Sequence, residues 1–321
     1  MNPERHAKIL IIGSGPAGYT AAIYSARANL KPLLIEGLQP GGQMTITTDV
    51  ENYPGFADVI QGPWLMEQMR AQAQHVGTEI VSDIITHVDL KHRPFRCVGD
   101  SGTIYWTESL IICTGAQARW LGLESEQRLR GGGVSACATC DGFFFRGKEI
   151  IVVGGGDSAI EEGIFLTRFA TSVTVIHRRD KLRAGQTLQD RAFANEKMRF
   201  IWNSMVERIE GGDSVEGVHL RNVETGEASV LETQGVFIFI GHDPNNQIFS
   251  GQLETTSDGY LVVDKHMMTS VPGVFAAGEI MDPIYRQVAT SVGQGAGAGM
   301  MAGRWLEEHE SLPQSITITT A

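Results

Sequence analysis

The sequence is poor in cysteine, has no long apolar run and carries no excess of positive charge, and each shortage excludes a class of protein. Four cysteines in 321 residues are too few for the disulfide scaffold of a secreted protein of this size. No apolar run approaches the roughly 20 residues of a membrane-spanning helix, and residues 1–8 show no targeting segment. Because 37 acidic residues outnumber 26 basic ones, a polyanion such as DNA is repelled on average. We therefore expect a cytoplasmic protein that binds neither a membrane nor nucleic acid.

Glycine, in contrast, is abundant. The 38 glycines form short clusters without a collagen-like period, which indicates backbone that approaches something closely. The apolar fraction of 42% and the charged fraction of 20% are typical of a folded globular protein. At roughly 150 residues per domain, the chain length predicts about two domains.

Two segments about 140 residues apart share the order strand, glycine turn, helix and second strand. The first copy has the strand 8–12 and the turn Gly13–Gly18, and the second has the strand 149–153 and the turn Gly154–Ala159. Glycines at this place let the backbone approach a pyrophosphate, which the amide groups of the helix N-terminus then bind. Two packing turns without a ligand are the alternative. The pattern predicts an α/β fold with two Rossmann-like nucleotide-binding domains.

Further strand-like segments end in tight turns at residues 110–116, 236–241 and 273–278. A Gly/Ala-rich helix at 289–306 follows the last of them and needs a surface to pack against. We assign this helix to the first domain, so that the second domain is an insertion between about residues 118 and 245. The polar residues 311–321 are expected to fray.

The two copies differ in charge at the end of their second strand, 23 positions after the first glycine of each turn. The first copy has Glu36, whose carboxylate would accept hydrogen bonds from ribose hydroxyls and repel a 2′-phosphate. The second copy has His177 followed by Arg178 and Arg179, with Arg183 nearby, which suits a 2′-phosphate. A solvated charge run is the alternative. We expect an unphosphorylated adenosine, as in FAD or NAD, at the first site and NADPH at the second.

The chemical centre is a C-x-x-C motif formed by Cys137 and Cys140. Two thiols at this spacing can close a small, reducible disulfide ring. Half of a zinc site and two inert core cysteines are the alternatives, but Cys97 and Cys113 do not lie at ligand spacing, so no metal site is expected. Asp141 follows the motif directly, and its carboxyl group can move the proton that thiol–disulfide exchange needs or cap a helix.

Together these motifs resemble the low-molecular-weight bacterial thioredoxin reductases, a class II group of the pyridine nucleotide-disulfide oxidoreductases. The resemblance covers about residues 7–308. The motifs that carry it are GSGPAG at 13–18, GGQ at 41–43, ENYPG at 51–55, CATCD at 137–141, GGGDSA at 154–159, HRRDKLR at 177–183 and YRQ at 285–287.

The resemblance implies two three-layer ββα domains: a discontinuous FAD-binding domain over residues 1–118 and 246–321, and an inserted NADPH-binding domain over residues 119–245 that carries the cysteine pair. The FAD-binding residues that it implies are Gly13, Ser14, Gly15, Pro16, Ala17, Glu36, Gly37, Gly41, Gly42, Gln43, Asn52, Thr114, Gly115, Gly278, Glu279, Arg286, Gln287 and Val288. The implied NADPH-binding residues are Gly154, Gly156, Asp157, Ser158, Ala159, His177, Arg178, Arg179, Arg183, Ile240 and Gly241.

The resemblance also implies the activity. Hydride would pass from NADPH to FAD, the flavin would reduce the Cys137–Cys140 disulfide with Cys140 nearer the ring, and Cys137 would attack the disulfide of thioredoxin. Members of this family are usually homodimers. One position departs from the family pattern, because Glu279 stands where Asp is usual.

Other reductases and oxidases remain as alternatives. The chain could reduce another small dithiol, disulfide or redoxin-like partner, or act as an FAD-dependent dithiol oxidase. A ferredoxin NADP⁺ reductase would lack the cysteine pair, and a dithiol oxidase would not need the basic cluster at 177–183. A redox sensor would need an element that transmits a signal, and none is evident in the sequence.

Overall fold

The computed structural model describes residues 3–46 and 49–309. Backbone contacts divide the chain into two compact units. Unit 1 comprises Met1–Gln117 and Pro244–Ala321, and unit 2 comprises Ala118–Asp243, so unit 2 is inserted into unit 1 along the chain. The polar tail 311–321, which was expected to fray, lies outside the described residues.

The strands are β1 (Glu4–Ile12), β2 (Leu33–Ile35), β3 (Asp49–Val50), β4 (Ile60–Gln61), β5 (Glu79–Val81), β6 (Ile85–Asp89), β7 (Phe95–Gly99), β8 (Ile104–Ile112), β9 (Ala116–Ala118), β10 (Val134–Ser135), β11 (Glu149–Val153), β12 (Ser172–Ile176), β13 (Met198–Ile201), β14 (Ser204–Glu210), β15 (Gly217–Asn222), β16 (Ala228–Glu232), β17 (Val236–Ile238), β18 (His242–Pro244) and β19 (Val274–Ala276). The α-helices are α1 (Pro16–Arg27), α2 (Gly62–His75), α3 (Glu124–Arg128), α4 (Ala138–Asp141), α5 (Asp157–Leu166), α6 (Gln186–Phe193) and α7 (Val288–His309). Short 3₁₀ turns cover Gly42–Ile46, Gly142–Phe145 and Gln247–Phe249.

Unit 1 is built on a seven-stranded sheet with the order β5-β2-β1-β8-β7-β6, and β19 also pairs with β8. The strands β5, β2, β1, β8 and β19 are parallel, whereas β6, β7 and β8 form an antiparallel meander. Alternate residues of β1 enter different cores. Ile9 and Ile11 pack with α1 and α7, and Leu10 and Ile12 pack on the other face of the sheet. This alternation follows from the two-residue period of a strand.

The Gly/Ala-rich helix of the sequence is α7, and it packs closely against α1. A methyl group on Gly295 would lie 2.3 Å from the carbonyl oxygen of Ala17, and one on Gly299 would lie 2.7 Å from that of Ala21. Only glycine permits this approach of two helix backbones. The contact anchors α7 to unit 1 and thereby fixes the place of its N-terminus, Val288.

Unit 2 has a five-stranded parallel sheet with the order β10-β17-β11-β12-β13 and an antiparallel meander of β14, β15 and β16. Val152 of β11 packs with α5 in one core, whereas its neighbours Ile151 and Val153 pack with Val206 of the meander in the other. Helices, parallel sheet and meander therefore form three layers. The predicted fold class, an α/β chain with two Rossmann-like domains, is confirmed.

Candidate functional site

In unit 1 the turn between β1 and α1 needs its glycines. Gly13 has φ = +105°, and a methyl group on it would lie 2.2 Å from the carbonyl oxygen of Cys113. Its N–H donates to the carbonyl oxygen of Ile35, which ties the turn to β2. Helix α1 begins at Pro16, and its N-cap residue Gly15 provides no side-chain hydrogen bond. The helix N-terminus therefore carries no side-chain cap, as an anion-binding turn requires.

The end of β2 holds a buried carboxylate. Ser14 Oγ donates to the carbonyl oxygen of Glu36 at 2.8 Å and accepts from the N–H of Gly41 at 3.2 Å. The Glu36 side chain is only 5% exposed, and its Oε1 accepts from Arg70 Nε at 2.8 Å. Burial, together with the negative charge of Glu36, raises the pKa of the nearby Tyr19 phenol to about 12. Arg70, on α2, was missed by the sequence analysis.

The glycine segment after β2 lies beside the turn. Gly37, Gly41 and Gly42 all have positive φ, and a methyl group on Gly42 would lie 3.5 Å from Gly15 Cα. Gln43 follows in the 3₁₀ turn Gly42–Ile46. The structure thus brings the predicted GGQ motif to the N-terminus of α1.

The C-terminal segment 278–288, which was predicted to bind FAD, contacts the region of Asn52. Asn52 Nδ2 donates to Gln287 Oε1 at 3.1 Å. Arg286 has φ = +49°, a left-handed conformation that non-glycine residues rarely adopt, directly before Gln287 and α7. Burial raises the pKa of Glu279 to about 7; the Arg286 guanidinium opposes this rise, and Asp282 adds to it.

The same segment contains a hydrogen-bond network around Asp282 and Gln294 that the sequence analysis did not predict. The N–H of Gly278 donates to Gln294 Oε1 at 3.0 Å, and Gln294 Nε2 donates to Asp282 Oδ2 at 3.1 Å. Asp282 Oδ1 accepts from the N–H groups of Ile284 and Tyr285. The network links the Gly278 loop to α7 and orders the segment that leads to Arg286.

Thr114 and Gly115, which follow β8, are tied to the returning chain. Thr114 Oγ1 donates to the carbonyl oxygen of Asn245, and Asn245 Nδ2 donates to that of Thr114, each at 2.8 Å. The N–H of Asn245 donates to the carbonyl oxygen of Gly115 at 3.0 Å. The observed role of this pair is to hold two chain segments of unit 1 together.

The turn of unit 2 repeats the design of the first. The N–H of Gly154 donates to the carbonyl oxygen of Ile176, and a methyl group on Gly154 would lie 2.5 Å from the carbonyl oxygen of Phe239. Gly156 is the N-cap of α5 and provides no side-chain cap. Asp157, in the first turn of α5, uses its carboxylate to accept from the N–H of Gly185 at 2.7 Å. Ser158 and Ala159 continue α5.

The basic cluster beside this turn consists of exposed guanidinium groups. In the part of the chain that the structure describes, no hydrogen bond or ion pair is made by the side chains of Arg178, Arg179 or Arg183. The N–H of Arg183 donates to the carbonyl oxygen of Gly155 at 2.7 Å. Its Nη2 would lie 3.8 Å from a methyl group on Gly156. The Arg183 guanidinium thus stands beside the N-terminus of α5, and the exposed Arg178 and Arg179 directly follow His177, which packs against the same turn.

His177 differs from these arginines because it is buried. Its side chain is 5% exposed, and a methyl group on Gly155 would lie 2.3 Å from its Nδ1, so the imidazole packs directly under the turn. The ring meets Trp202 edge-on at 6.4 Å between centroids. Burial lowers the pKa of His177, and Arg183 and Arg179 act in the same direction. The imidazole is therefore neutral at pH 7.

Near the C-terminal end of unit 2, Gly241 has φ = +116°, and its carbonyl oxygen accepts from the N–H of Arg119 at 2.9 Å. Arg119 also pairs with Asp243 through its guanidinium. Ile240, which precedes Gly241, packs at the margin of the core that includes Val153.

The predicted redox pair is joined in the structure. Cys137 and Cys140 form a disulfide with their Cα atoms 5.3 Å apart. Cys137 is the N-cap of α4, and its Sγ accepts from the N–H of Cys140 at 3.2 Å. At a helix N-cap, the thiolate form of a cysteine is favoured once the disulfide has been reduced. Cys97 and Cys113 lie buried in unit 1, where burial raises the pKa of each thiol to about 12.

Asp141 ends α4 and is bound to a residue that precedes the pair. Ser135 Oγ donates to Asp141 Oδ2 at 2.5 Å and accepts from the N–H of Cys137 at 3.0 Å. The sequence analysis missed Ser135, although a serine two residues before a turn often accepts from the backbone in this way. Asp141 does not act as a side-chain cap for the 3₁₀ turn that follows it.

Two broader properties bear on the kind of site. Within the described residues, no helix is long and apolar enough to cross a membrane. The same part of the chain contains no group of three or more His, Cys, Asp or Glu side chains that could hold a metal ion.

Comparison with known proteins gives consistent results. Residues 7–295 match the family model described as pyridine nucleotide-disulphide oxidoreductase. A thioredoxin reductase of Rickettsia conorii is 58% identical over 305 residues, which cover 94% of this chain and 98% of that relative. Solved structures of thioredoxin reductase from Streptococcus pyogenes (45% identity) and from Giardia duodenalis (41% identity) each align with a TM-score of 0.90, covering 94% of this chain and 99% of theirs.

Proposed function

This chain belongs to the pyridine nucleotide-disulphide oxidoreductase family, and we propose that it is an NADPH-dependent, FAD-containing thioredoxin reductase. Relatives that carry the name thioredoxin reductase cover nearly the whole chain, which confirms the enzyme class expected from the motifs. The observation that carries the proposal is the Cys137–Cys140 disulfide in a chain with two nucleotide-type turns.

The residues of unit 1 fit FAD. The N-terminus of α1 has no side-chain cap and no acidic residue in its first turn, so it suits a pyrophosphate. Among the described residues no hydrogen bond reaches Glu36 Oε2, whereas Oε1 is taken by Arg70. The free oxygen suits a ribose hydroxyl, and a carboxylate at that place disfavours a 2′-phosphate. Asn52, Arg286, Gln287 and Val288 would line the isoalloxazine end.

The residues of unit 2 fit NADPH. Uncapped amide groups at the N-terminus of α5 suit the pyrophosphate, and the exposed guanidinium groups of Arg178, Arg179 and Arg183 suit the 2′-phosphate. A cluster of exposed, unpaired like charges is unfavourable without a counter-charge, which is a reason for an anion to bind there.

When bound, FAD would take a hydride from NADPH and supply two electrons to the disulfide. Reduction breaks the Cys137–Cys140 bond and, with two protons taken up, leaves two thiols. Cys137, whose thiolate is favoured by the N–H of Cys140, would attack the disulfide of thioredoxin to give a mixed disulfide. Cys140 would then displace the thioredoxin thiolate and restore the enzyme disulfide. Asp141 would hold and move the proton that this exchange requires.

The test is NADPH-dependent reduction of a bacterial thioredoxin by the purified, FAD-loaded protein. The variant Cys137→Ser should keep its FAD and its reduction by NADPH but lose at least about a hundredfold in thioredoxin turnover, because an alcohol cannot replace the attacking thiolate. Cys97→Ala removes a buried thiol of unit 1 and serves as the control. Substantial turnover by Cys137→Ser would mean that electrons leave without the cysteine pair. Oxygen consumption without thioredoxin reduction would instead identify a dithiol oxidase.

Two further properties are part of the proposal and stay predictions. We expect a homodimer, which sedimentation equilibrium of the loaded protein would detect. We also expect a cytoplasmic location, since a reducing compartment is where thioredoxin needs continual reduction.

A further inference from the structure

We propose that Ser135 is a positioning residue that sets the Asp141 carboxyl group beside the Cys137–Cys140 disulfide. The proposal rests on the proposed function, in which Asp141 moves a proton during thiol–disulfide exchange. It concerns a residue that neither the motifs nor the resemblance singled out.

Ser135 is held in a rigid place. It is the last residue of β10, an edge strand of the parallel sheet, and it pairs in register with the fully buried Phe237 of β17. Its side chain is only 6% exposed. A hydroxyl group on a sheet strand keeps its position better than one on a loop, so it can serve as a fixed reference for the groups around it.

The hydrogen bonds around Ser135 show which acceptor its hydroxyl group donates to. Its Oγ already accepts from the N–H of Cys137 at 3.0 Å. The single hydroxyl proton then has two acceptors within reach, Asp141 Oδ2 at 2.5 Å and the carbonyl oxygen of Cys137 at 3.3 Å. The carboxylate is nearer and carries charge, so it receives the proton. Donation by the Cys137 N–H polarises the hydroxyl and strengthens its bond to Asp141.

The two bonds connect both ends of the disulfide ring to one atom. Cys137 begins the ring and is bound through its backbone, whereas Asp141 follows Cys140 directly and is bound through its side chain. Helix α4 has only four residues, Ala138–Asp141, and cannot by itself fix the orientation of its last side chain. A displacement of about 1 Å in a catalytic group can lower a rate a hundredfold. We infer that the hydroxyl of Ser135 is one of the groups that fix where the Asp141 carboxyl can exchange its proton.

The first part of the experiment measures thioredoxin turnover by the FAD-loaded enzyme and by four variants: Ser135→Ala, Ser135→Thr, Asp141→Asn and the double variant Ser135→Ala/Asp141→Asn. Ser135→Ala should lower kcat for thioredoxin about tenfold, with KM for NADPH and reduction of the bound flavin by NADPH unchanged. Ser135→Thr keeps a hydroxyl and should stay within about threefold of the wild type. In the Asp141→Asn background the loss of the Ser135 hydroxyl should have no further effect, because the two groups act as one unit.

The pH profile separates positioning from a merely structural role. The limb of the profile that disappears in Asp141→Asn should move to higher pH in Ser135→Ala, because the ionised carboxylate has lost a donor. Asp141→Glu moves the carboxylate by one methylene relative to Ser135, and the same limb of its pH profile should also move to higher pH. This variant provides a second measurement if Ser135→Ala folds poorly. Ser172→Ala removes a hydroxyl of equal exposure, 6%, from β12 of the same sheet and controls for lost stability.

Additive effects of Ser135→Ala and Asp141→Asn, or an unmoved pH limb in both Ser135→Ala and Asp141→Glu, would overturn the assignment of Ser135. Either result leaves the proposed function standing as long as the wild type reduces thioredoxin. Failure of the wild type to do so would reject the proposed function itself.

Discussion

Replacing Arg178 and Arg179 together with Ala should remove most of the preference for NADPH over NADH. Both side chains are exposed directly after β12, and neither has a protein partner among the residues described. The two guanidinium groups therefore make no contact that stabilises the fold, and their removal should leave the free energy of unfolding nearly unchanged. What they are free to bind is an anion at the ribose edge of the nucleotide.

The expected magnitude follows from their exposure. A charge-assisted hydrogen bond sheltered from water contributes about 1.5–3 kcal/mol. Since both side chains face solvent, screening reduces this value, and about 1 kcal/mol for each is the appropriate figure. Loss of both then costs about 2 kcal/mol, which is roughly a 30-fold loss of preference because about 1.4 kcal/mol corresponds to a factor of ten.

The assay compares kcat/KM for NADPH and NADH in thioredoxin-coupled turnover, with 2′,5′-ADP as a competitive probe of the phosphate site. The loss should appear in KM for NADPH, whereas the constants for NADH should change by less than about threefold. Arg199→Ala removes an exposed guanidinium on β13 of the same unit and is the matched control. An unchanged NADPH/NADH ratio in the double variant would place the phosphate site elsewhere.

Three further changes test other parts of the structure. Arg70→Ala leaves the buried carboxylate of Glu36 without its cation and should weaken FAD binding about tenfold in a fluorescence titration; unchanged affinity would refute the positioning of that carboxylate. Gly295→Ala forces a methyl group against an α1 carbonyl and should lower the free energy of unfolding by about 1–3 kcal/mol, whereas Gly293→Ala, which meets nothing within 4 Å in the same helix, should not. The pKa of Glu279 is raised to about 7, so its ionisation disfavours the folded state. In flavin-free protein, the Tm of Glu279→Gln should therefore rise relative to that of the wild type as the pH increases from the ordinary pKa range of a glutamate to about 7. Above pH 7 the difference in Tm should stay constant; a difference that does not depend on pH would contradict this.

The turns and strands were predictable because their causes are local. The φ of Gly13 and of Gly154 is positive, and a side chain there would collide with backbone, so glycine marks these turns in the sequence. The glycine turns were predicted to extend to Gly18 and Ala159, because glycine and proline suggest a break, whereas the helices already begin at Pro16 and Asp157. Pro16, however, occupies the first position of α1, where its missing N–H is harmless.

The supporting residues could not be predicted, because their partners are distant in the sequence. Arg70 meets Glu36 from 34 positions away, and Gln294 meets Gly278 from 16 positions away. Such contacts depend on how helices pack on the sheet, which a single sequence does not reveal. Ser135 is nearer to Asp141, yet only the short helix between them brings the two side chains together.

His177 shows how strand geometry distributes a cluster that looks uniform in sequence. Successive residues at the end of a strand point in opposite directions. His177 accordingly lies under the turn, 5% exposed, while Arg178 faces solvent. The sequence analysis grouped the imidazole with the guanidinium groups as a phosphate ligand, and that role stays a prediction. A neutral imidazole under Gly155 is placed to support the turn.

Glu36 in unit 1 and His177 in unit 2 occupy equivalent positions after the second strand and are equally buried, with 5% exposure each. The fold therefore fixes the burial of the side chain at this position but not its chemical type. The charge of Glu36 is balanced by Arg70, and burial keeps His177 neutral. Neither buried group alone therefore supplies a net positive charge to a phosphate. In unit 2 the positive charge for a 2′-phosphate must then come from the residues that follow His177, beginning with the exposed Arg178, whereas unit 1 has Gly37 at the corresponding place. Exchanging Glu36 for histidine should thus weaken FAD binding without creating a 2′-phosphate site, because the guanidinium groups that such a site needs are absent from the segment after β2.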